Sequence, residues 1–580
     1  MQGARQHGAC LLPNGEVRFS LWAPDAAQVD LELDDGRRIA LQREGNGWFE
    51  ISLPCPNGTA YRYLIDGELR VPDPASRSQQ GDVSGPSRVV DLTAYAWENP
   101  QWRGRPWHEA VFCELHVGVL GGFVGVASRL PTLAEQGITA IELMPLGEFP
   151  GARNWGYDGV LPFAPEASYG TPEELQRLVD HAHSLGLMVF IDVVYNHFGP
   201  EGNYLHQYAK AFFRADQQTP WGAGIDFRRP EVRDFFIENA LMWLLDYRVD
   251  GLRLDAVHAI PDQDFLIELA RRTRAAVPAE REMHLVVENE GNNVELLENG
   301  YAAQWNDDAH NVLHALLTDE REGYYADYTE LRTEKLARCL GEGFVFQGQA
   351  DRRGHVRGQP SGHLSPTQFV LFLQNHDQVG NRALGERLVS LAPQPALEVA
   401  VALQLLCPMI PLLFMGEAQG CTQPFLFFTD YHDELGRAVR EGRQREFAAF
   451  SAFAGVQVPD PNALETFERS RPENGAASSH WAEYYRHLLQ LRHQQLVPRL
   501  RGSRQGGVRI LHDKALSAAW HLGDGSRLRI DFNLDDRPVP ISPLPPVART
   551  LFALRIDGSD ESRQRVLPPF SLLATLEKSP

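Results

Sequence analysis

A chain of 580 residues exceeds what one hydrophobic core ordinarily supports, so two to four domains are expected. Its 43% hydrophobic and 23% charged residues place it among ordinary globular proteins and exclude an intrinsically disordered chain. With 55 Lys and Arg against 76 Asp and Glu, the formal net charge of −21 excludes nucleic acid and anionic membrane, which need a basic surface, and favours a neutral substrate.

The first residues, Met1 to His7, lack an apolar core of signal-peptide length, and the most apolar stretch, 399–415, is broken by Gln404, Pro408 and Pro411. Cys10, Cys55, Cys113, Cys339, Cys407 and Cys421 show no paired spacing, so reduced thiols and a cytoplasmic protein are expected. Residues 1–95 carry short alternating runs such as Val17-Arg18-Phe19-Ser20-Leu21-Trp22 between Gly, Pro and Asp-Gly turns, which predicts an N-terminal β-sandwich. Trp22, Trp48 and Tyr61 either pack that sandwich or give it a sugar-binding face.

After a linker at 96–110, residues 111–500 alternate apolar strands with helical stretches, the pattern of a parallel sheet covered on both faces. Candidate strands at 111–117, 138–144, 187–194, 251–256, 284–288, 302–306, 367–374 and 409–414 supply the eight that a (β/α)8 TIM barrel requires. Thr171-Pro172-Glu173-Glu174 opens a helix with a capping Thr, Pro at the first helical position and Glu three residues after the cap; Leu175, Leu178, Val179 and Ala182 follow at helical spacing. The stretch 198–230 is too long and too rich in Gly and aromatic residues for a plain connection and is read as a substrate-shaping insertion. Residues 501–580 return to short alternating strands and predict a C-terminal all-β domain.

Three apolar runs end in carboxylates: Gly251-Leu252-Arg253-Leu254-Asp255, Leu285-Val286-Val287-Glu288, and Phe369-Val370-Leu371-Phe372-Leu373-Gln374-Asn375-His376-Asp377. Alternation in a strand puts Arg253 and Asp255 on one face, and barrel catalytic groups gather at strand C-termini. Paired acids without a Ser or Cys nucleophile motif suit glycoside chemistry, where one carboxylate attacks the anomeric carbon and a protonated one serves the leaving oxygen. Arg253 is expected to keep Asp255 ionised as nucleophile, and its apolar strand to raise Glu288 as general acid/base.

The segments Asp192-Val193-Val194-Tyr195-Asn196-His197, Gly251 to His258, Val287-Glu288-Asn289-Glu290 and Gln374-Asn375-His376-Asp377 resemble the four ordered regions of the alpha-amylase family of glycoside hydrolases. The resemblance implies catalytic roles for Asp255, Glu288 and Asp377, with Asp377 holding two hydroxyls of the distorted sugar. His197, Asn375 and His376 would contact the same ring, Arg253 would orient the nucleophile, and Asp192 would organise the strand ends. In Asn154-Trp155-Gly156-Tyr157-Asp158-Gly159 it implies a stacking platform at Tyr157, with Trp155 beside it. His258 and the loop Thr219-Pro220-Trp221-Gly222 either meet the leaving side or are structural. The N-terminal sandwich then reads as similar to a carbohydrate-binding module. No cofactor and no metal are implied, although many family members hold calcium through the residue matching Asn196.

Within the family the resemblance is sharpest to its trehalose-releasing branch, through Glu114-Leu115-His116-Val117-Gly118, Tyr195-Asn196-His197-Phe198-Gly199-Pro200 and Gln374 through Arg382. That branch implies retaining cleavage of the α-1,4 bond beside the terminal trehalose of maltooligosyltrehalose, an α-1,4-glucan derivative, with a pathway link to maltooligosyltrehalose synthase. The alternative is a glucan branching enzyme, against which Gln378 speaks because that position is usually Glu there; a third reading is a glucan-binding protein without catalysis. Val119-Leu120-Gly121-Gly122, Val287, Glu290 and Ala418 depart from the family pattern, and none of them removes one of the three carboxylates.

Overall fold

The computed structural model describes residues 6–219, 222–448, 457–473, 478–542, 548–556 and 566–577. Eight parallel strands close on themselves: β1 (Phe112–Leu115), β2 (Ala140–Leu143), β3 (Met188–Val193), β4 (Gly251–Leu254), β5 (His284–Val287), β6 (Ala303–Trp305), β7 (Phe369–Phe372) and β8 (Ile410–Phe414). β8 returns to β1 through Phe112 opposite Leu412, so the TIM barrel expected from the eight apolar runs is present. Each strand is shorter than its apolar run, at one end or both, because the chain leaves the ladder there for loops.

Side chains of alternate residues enter the barrel, and they change character along its axis. Phe112, Ala140, Phe190, Val286, Ala303, Val370 and Ile410 belong to one buried apolar group, with Trp107 packed beneath and donating Nε1–H to the Thr367 carbonyl at 2.7 Å. Two residues further on, the same inward stripes read Glu114, Glu142, Asp192 and Glu288, while Arg253 sits opposite Asp192 and Val286 in the ladder. The barrel floor is therefore apolar and its mouth ionic.

Gly251 shows how tightly that floor is packed. It lies opposite Phe190, and a Cβ there would stand 2.1 Å from the Phe190 ring and 2.4 Å from the His284 carbonyl oxygen, so only glycine lets the ring lie across β4.

The helix Pro172–Ser184 forms as its sequence predicts: Thr171 Oγ1 accepts from Glu174 N–H and Glu174 Oε2 accepts from Thr171 N–H, while Leu175, Leu178, Val179 and Ala182 are buried. A long helical stretch from Ser478 brings Arg492 into the interior, where it donates to the carbonyls of Leu405, Cys407 and Met409 at 2.7–3.0 Å and fastens the approach to β8.

The N-terminal module has two antiparallel sheets, one built around Glu16–Trp22 and Trp48–Pro54, the other around Val29–Leu33 and Ala60–Ile65. Trp22, Trp48 and Tyr61 are all buried, and Tyr61 donates its hydroxyl to Asp73 at 2.7 Å, so the packing alternative holds for these three aromatics. Trp22 approaches Phe212 of the 198–230 stretch, and Glu238 of the following helix accepts from the His7 and Gln6 N–H groups, which seats the sandwich on the barrel. The strands Arg504–His512, Ala515–His521, Arg527–Asn533, Ala548–Leu554 and Ser571–Glu577 form a five-stranded antiparallel sheet against the helix Arg332–Glu342. No helix among the described residues is long and apolar enough to cross a membrane.

Gly251→Ala is expected to destabilise the barrel by roughly 3 kcal/mol or more, since neither the ring nor the carbonyl has room to move. An early loss of near-ultraviolet circular dichroism on heating would show it; a thermal transition unchanged from the parent protein would refute the packing argument.

Candidate active site

Arg253 is the centre of the barrel mouth. Its side chain is buried, Nη1 donates to Asp192 Oδ2 at 2.6 Å and to Asp255 Oδ1 at 2.9 Å, and Nη2 donates to Glu288 Oε2 at 2.9 Å. The guanidinium carbon lies 4.1 Å from the centroid of the Trp305 ring on β6. Carboxylates from β3, β4 and β5 thus converge on one cation supported by an aromatic face.

β4 ends in a left-handed turn at Ala256 (φ 42°), a conformation costing roughly 1 kcal/mol for a residue with a Cβ. That turn aims the Ala256 N–H at Glu288 Oε2, 2.9 Å away. Glu288 therefore has two donors on one oxygen, and the Asp255 and Glu288 carboxyls lie within hydrogen-bonding reach of each other.

In the unliganded site the two carboxyls are shifted in directions opposite to those expected from the sequence. Burial pushes Asp255 well above the usual carboxylate range, and the charge of Glu288 adds to it against the pull of Arg253. For Glu288, burial is outweighed by Arg253, the Ala256 N–H, His258 and the hydrogen bond from Asp255, so it lies below its ordinary value. The sequence assigned Arg253 to Asp255 alone because the two share a strand face; in space the fork serves three acids.

Asp192 also receives the Tyr157 hydroxyl at 2.6 Å. Tyr157 stacks on His376 with ring centroids 4.9 Å apart and is half-buried. His376 meets Glu114 Oε1 through Nδ1 at 2.5 Å and donates its backbone N–H to Glu114 Oε2 at 2.8 Å. Burial works to discharge this imidazole, but Glu114 prevails and its pKa is raised. Asp377 follows on the short helix His376–Gly380, accepts from Asn381 Nδ2, and is raised by burial against the opposing charge of His376. Glu142 lies in the same interior and is raised well above its usual range by burial and by Asp192.

Asp255, Glu288, Asp377, Arg253, Tyr157 and His376 are thus brought together. Trp155 and Asn375, expected against the sugar, are committed to the fold. Trp155 is 5% exposed, donates Nε1–H to the Leu426 carbonyl at 3.0 Å, stacks on Phe425 and meets His376 edge-on. Asn375 is 1% exposed and caps the short helix, its Oδ1 accepting from Gln378 N–H at 2.8 Å. His197 has Asn196 Oδ1 at 2.9 Å and the Tyr157 carbonyl at 3.0 Å on its two ring nitrogens, and burial pulls it down to about 4. His258 is exposed, with the Glu290 N–H at 3.2 Å from Nδ1. Glu290 is exposed too and lies 3.8 Å from Arg357. Within the loop expected at the leaving side, Pro220 and Trp221 lie outside the described residues.

Glu114, Glu142, Trp305 and Asp307 were not foreseen. The first two could have been found by extending each strand's inward alternation by two residues, since a carboxylate on a buried stripe is anomalous. Among the described residues no group of three or more His, Cys, Asp or Glu side chains is arranged to hold a metal ion.

Comparison with known proteins gives the site its context. Residues 103–221 match the alpha amylase catalytic domain, 3–77 the carbohydrate-binding module 48 of isoamylase N-terminal domains, and 503–573 a domain of unknown function. The malto-oligosyltrehalose trehalohydrolase of Deinococcus radiodurans is 39% identical, covering 96% of this chain and 94% of that protein. The chain belongs to the malto-oligosyltrehalose trehalohydrolase family. It is therefore a glycoside hydrolase of the alpha-amylase type. The trehalohydrolase of Saccharolobus solfataricus is likewise 39% identical, covering 78% of this chain and 81% of that protein. A Salmonella typhimurium crystal structure named as an alpha amylase is 41% identical with a TM-score of 0.93, covering 99% of this chain and all of that one. A 1,4-alpha-glucan branching enzyme of Photobacterium profundum, 34% identical, covers only 44% of this chain and 40% of its own length, so the trehalohydrolase family accounts for more of the molecule.

A histidine NMR titration is expected to place His376 above the ordinary midpoint near 6.5. A pKa raised on folding means that the stability from the Glu114 pair is full below about pH 6.5 and is lost as pH rises through the folded midpoint. Glu114→Gln is expected to lower that midpoint; an unmoved resonance would exclude Glu114 as the cause.

Proposed function

We propose that this enzyme cleaves the α-1,4-glucosidic bond adjacent to the terminal trehalose of maltooligosyltrehalose, releasing trehalose and a maltooligosaccharide with retention at the anomeric carbon. The observation that carries the reading is the pair of carboxyls on one guanidinium, Asp255 and Glu288, in a chain whose near-full-length relatives are named for that activity. Retaining chemistry needs the two groups roughly 5 Å apart, whereas inversion needs room between them for a water. Hydrogen-bonding reach between Asp255 and Glu288 favours retention.

The reaction requires a single proton on the pair. In the reactive form Glu288 carries that proton and Asp255 is a carboxylate. Asp255 then attacks the anomeric carbon while Glu288 gives its proton to the departing glycosidic oxygen; the trehalose unit leaves with that proton and Asp255 is bonded to the remaining chain. In the second half, Glu288 takes a proton from water, whose oxygen attacks the same carbon and frees Asp255 as a carboxylate. Arg253 neutralises whichever acid is charged at each stage. Asp377 binds hydroxyls of the sugar being cleaved, and the half-buried Tyr157 ring, held on His376 and Asp192, offers that sugar an apolar platform. No step calls on a metal or cofactor.

Upstream, the substrate implies the synthase that installs the terminal α,α-1,1 linkage. The six unpaired cysteines, five of them buried, fit a reducing, cytoplasmic setting.

Purified protein given maltooligosyltrehalose is expected to liberate trehalose, with the new reducing end appearing first as the α-anomer by NMR. Absence of trehalose would reject the substrate, and a β-anomer would reject retention. A branching enzyme would instead change the iodine stain of amylose without new reducing ends. Glu288→Gln is expected to lower kcat by about 10³-fold or more, and to remove the alkaline limb of a bell-shaped pH profile set by the shared proton.

A further inference from the structure

One acid at the barrel mouth has no assigned task. Asp307 follows β6 and opens the helix Asp307–Thr318, so it emerges between Glu288 on the β5 side and Asp377 on the β7 side. Its neighbours are wholly used by the fold. Asn306 is buried, caps the helix by accepting from Ala309 N–H at 3.2 Å, and donates Nδ2–H to the Gly343 carbonyl at 2.8 Å. Asp308, 2% exposed, accepts from Tyr328 Oη–H, Asn292 Nδ2 and the Val345 and Phe346 N–H groups at 2.6–3.1 Å.

Asp307 differs from both. It is half-buried, it has no hydrogen bond or ion pair with any described residue, and the charges of Glu288 and Asp377 act on it, only partly offset by Arg253. A carboxyl at the first position of a helix gains about 0.3–1 kcal/mol from the helix dipole, but the cap is already supplied by Asn306. Placing a third acid beside two others in a desolvated mouth opposes that gain. The position is unfavourable for the empty enzyme and becomes favourable when a polyhydroxylated ligand brings hydrogen bonds to the carboxyl.

The geometry points to Asp307 as a specificity residue that hydrogen-bonds hydroxyl groups of the sugar on the leaving side of the scissile bond. The leaving side is assigned because Asp307 adjoins Glu288, the acid that serves the departing oxygen; it adjoins Asp377 as well, so contact with the sugar being cleaved is the competing outcome, which would lower kcat and leave the trehalose inhibition constant unchanged. This inference rests on the proposed reaction, in which the leaving sugar is trehalose. A carboxyl accepts from two vicinal hydroxyls at once, which an apolar platform does not do, so Asp307 would select by hydroxyl pattern where Tyr157 selects by shape.

Trehalose, which is the product on that side and has no α-1,4 bond to cut, is the probe. Its competitive inhibition constant would be measured against maltooligosyltrehalose hydrolysis for the parent enzyme, Asp307→Asn and Asp307→Ala, with pH profiles of kcat/KM beside it. The expected result is a rise of about tenfold or more in the trehalose inhibition constant for Asp307→Ala, a smaller rise for Asp307→Asn, and pH midpoints unmoved in both. An unchanged inhibition constant overturns the inference, as does a change confined to the pH midpoints, which would make Asp307 an electrostatic neighbour of Glu288 and no more. Parent enzyme that neither releases trehalose nor is inhibited by it would overturn the proposed reaction as well; parent enzyme that does both, with inhibition unaltered in the variants, overturns only the role of Asp307. Should Asp307→Ala not fold, Asp307→Asn preserves the shape and carries the test.

Discussion

A single buried guanidinium organises this molecule's mouth. Arg253 takes a full charge out of water, which is unfavourable unless its donors are satisfied, and it satisfies them with Asp192, Asp255 and Glu288 while lying on Trp305. The converse holds for the acids: three carboxyls from three strands share an interior with Glu142 and lie near Asp377, and without the cation they would either repel one another or be discharged together. The fork geometry of arginine, with donors in one plane, lets one residue reach neighbours on both sides of β4; a lysine ammonium would offer a point charge and no such span.

The barrel makes this arrangement affordable by grading its interior. Its lower layers are closed by Phe112, Phe190, Val286, Val370 and Ile410 over Trp107, so water does not enter from below. One step higher the stripes of β1 to β5 turn ionic while those of β6 to β8 stay apolar through Trp305, Phe372 and Leu412, and the low polarisability beneath strengthens each pairing above. Because acids outnumber cations there, protons must make up the difference. Burial and Asp192 raise Glu142, Glu114 raises His376, and Asp255 and Glu288 are shifted in opposite directions, Asp255 up by burial and by Glu288 and Glu288 down by Arg253. Glycoside cleavage by double displacement needs one carboxylate and one carboxylic acid, and a pair whose members are shifted apart is suited to that composition.

The support behind the mouth is equally specific. Trp155 stands behind His376, Asn375 caps the helix that presents Asp377, and the left-handed turn at Ala256 delivers a backbone donor to Glu288. These residues sit inside the sequence regions that mark the family. Their part is to fix the orientation of the groups that face the cleft, and a misplacement of such groups by about 1 Å can cost two orders of magnitude in rate.

Strand number, the helix opened by Thr171 and the acids at the strand ends could be read from the chain alone, because each depends on a local rule: continuous apolar runs for covered strands, a capping pair three residues apart, a carboxylate where core is due. The ownership of charge could not. Arg253 and Asp255 share a face of β4, so pairing them was the natural local inference, yet the second arm of the fork reaches β5 and the Ala256 N–H is turned by a backbone conformation that no periodicity encodes. Trp155 and Asn375 lie within regions that look catalytic, and only the packing of Phe425 and the N-terminus of the helix His376–Gly380 shows that they brace the site from behind. Asp307 and Asp308 are chemically identical neighbours; one is enclosed by Tyr328, Asn292 and two backbone donors and the other is left open to the cleft. Local order depends on neighbours along the chain, whereas proton placement depends on groups from several strands brought within a few ångströms, and that proximity exists only once the barrel has closed.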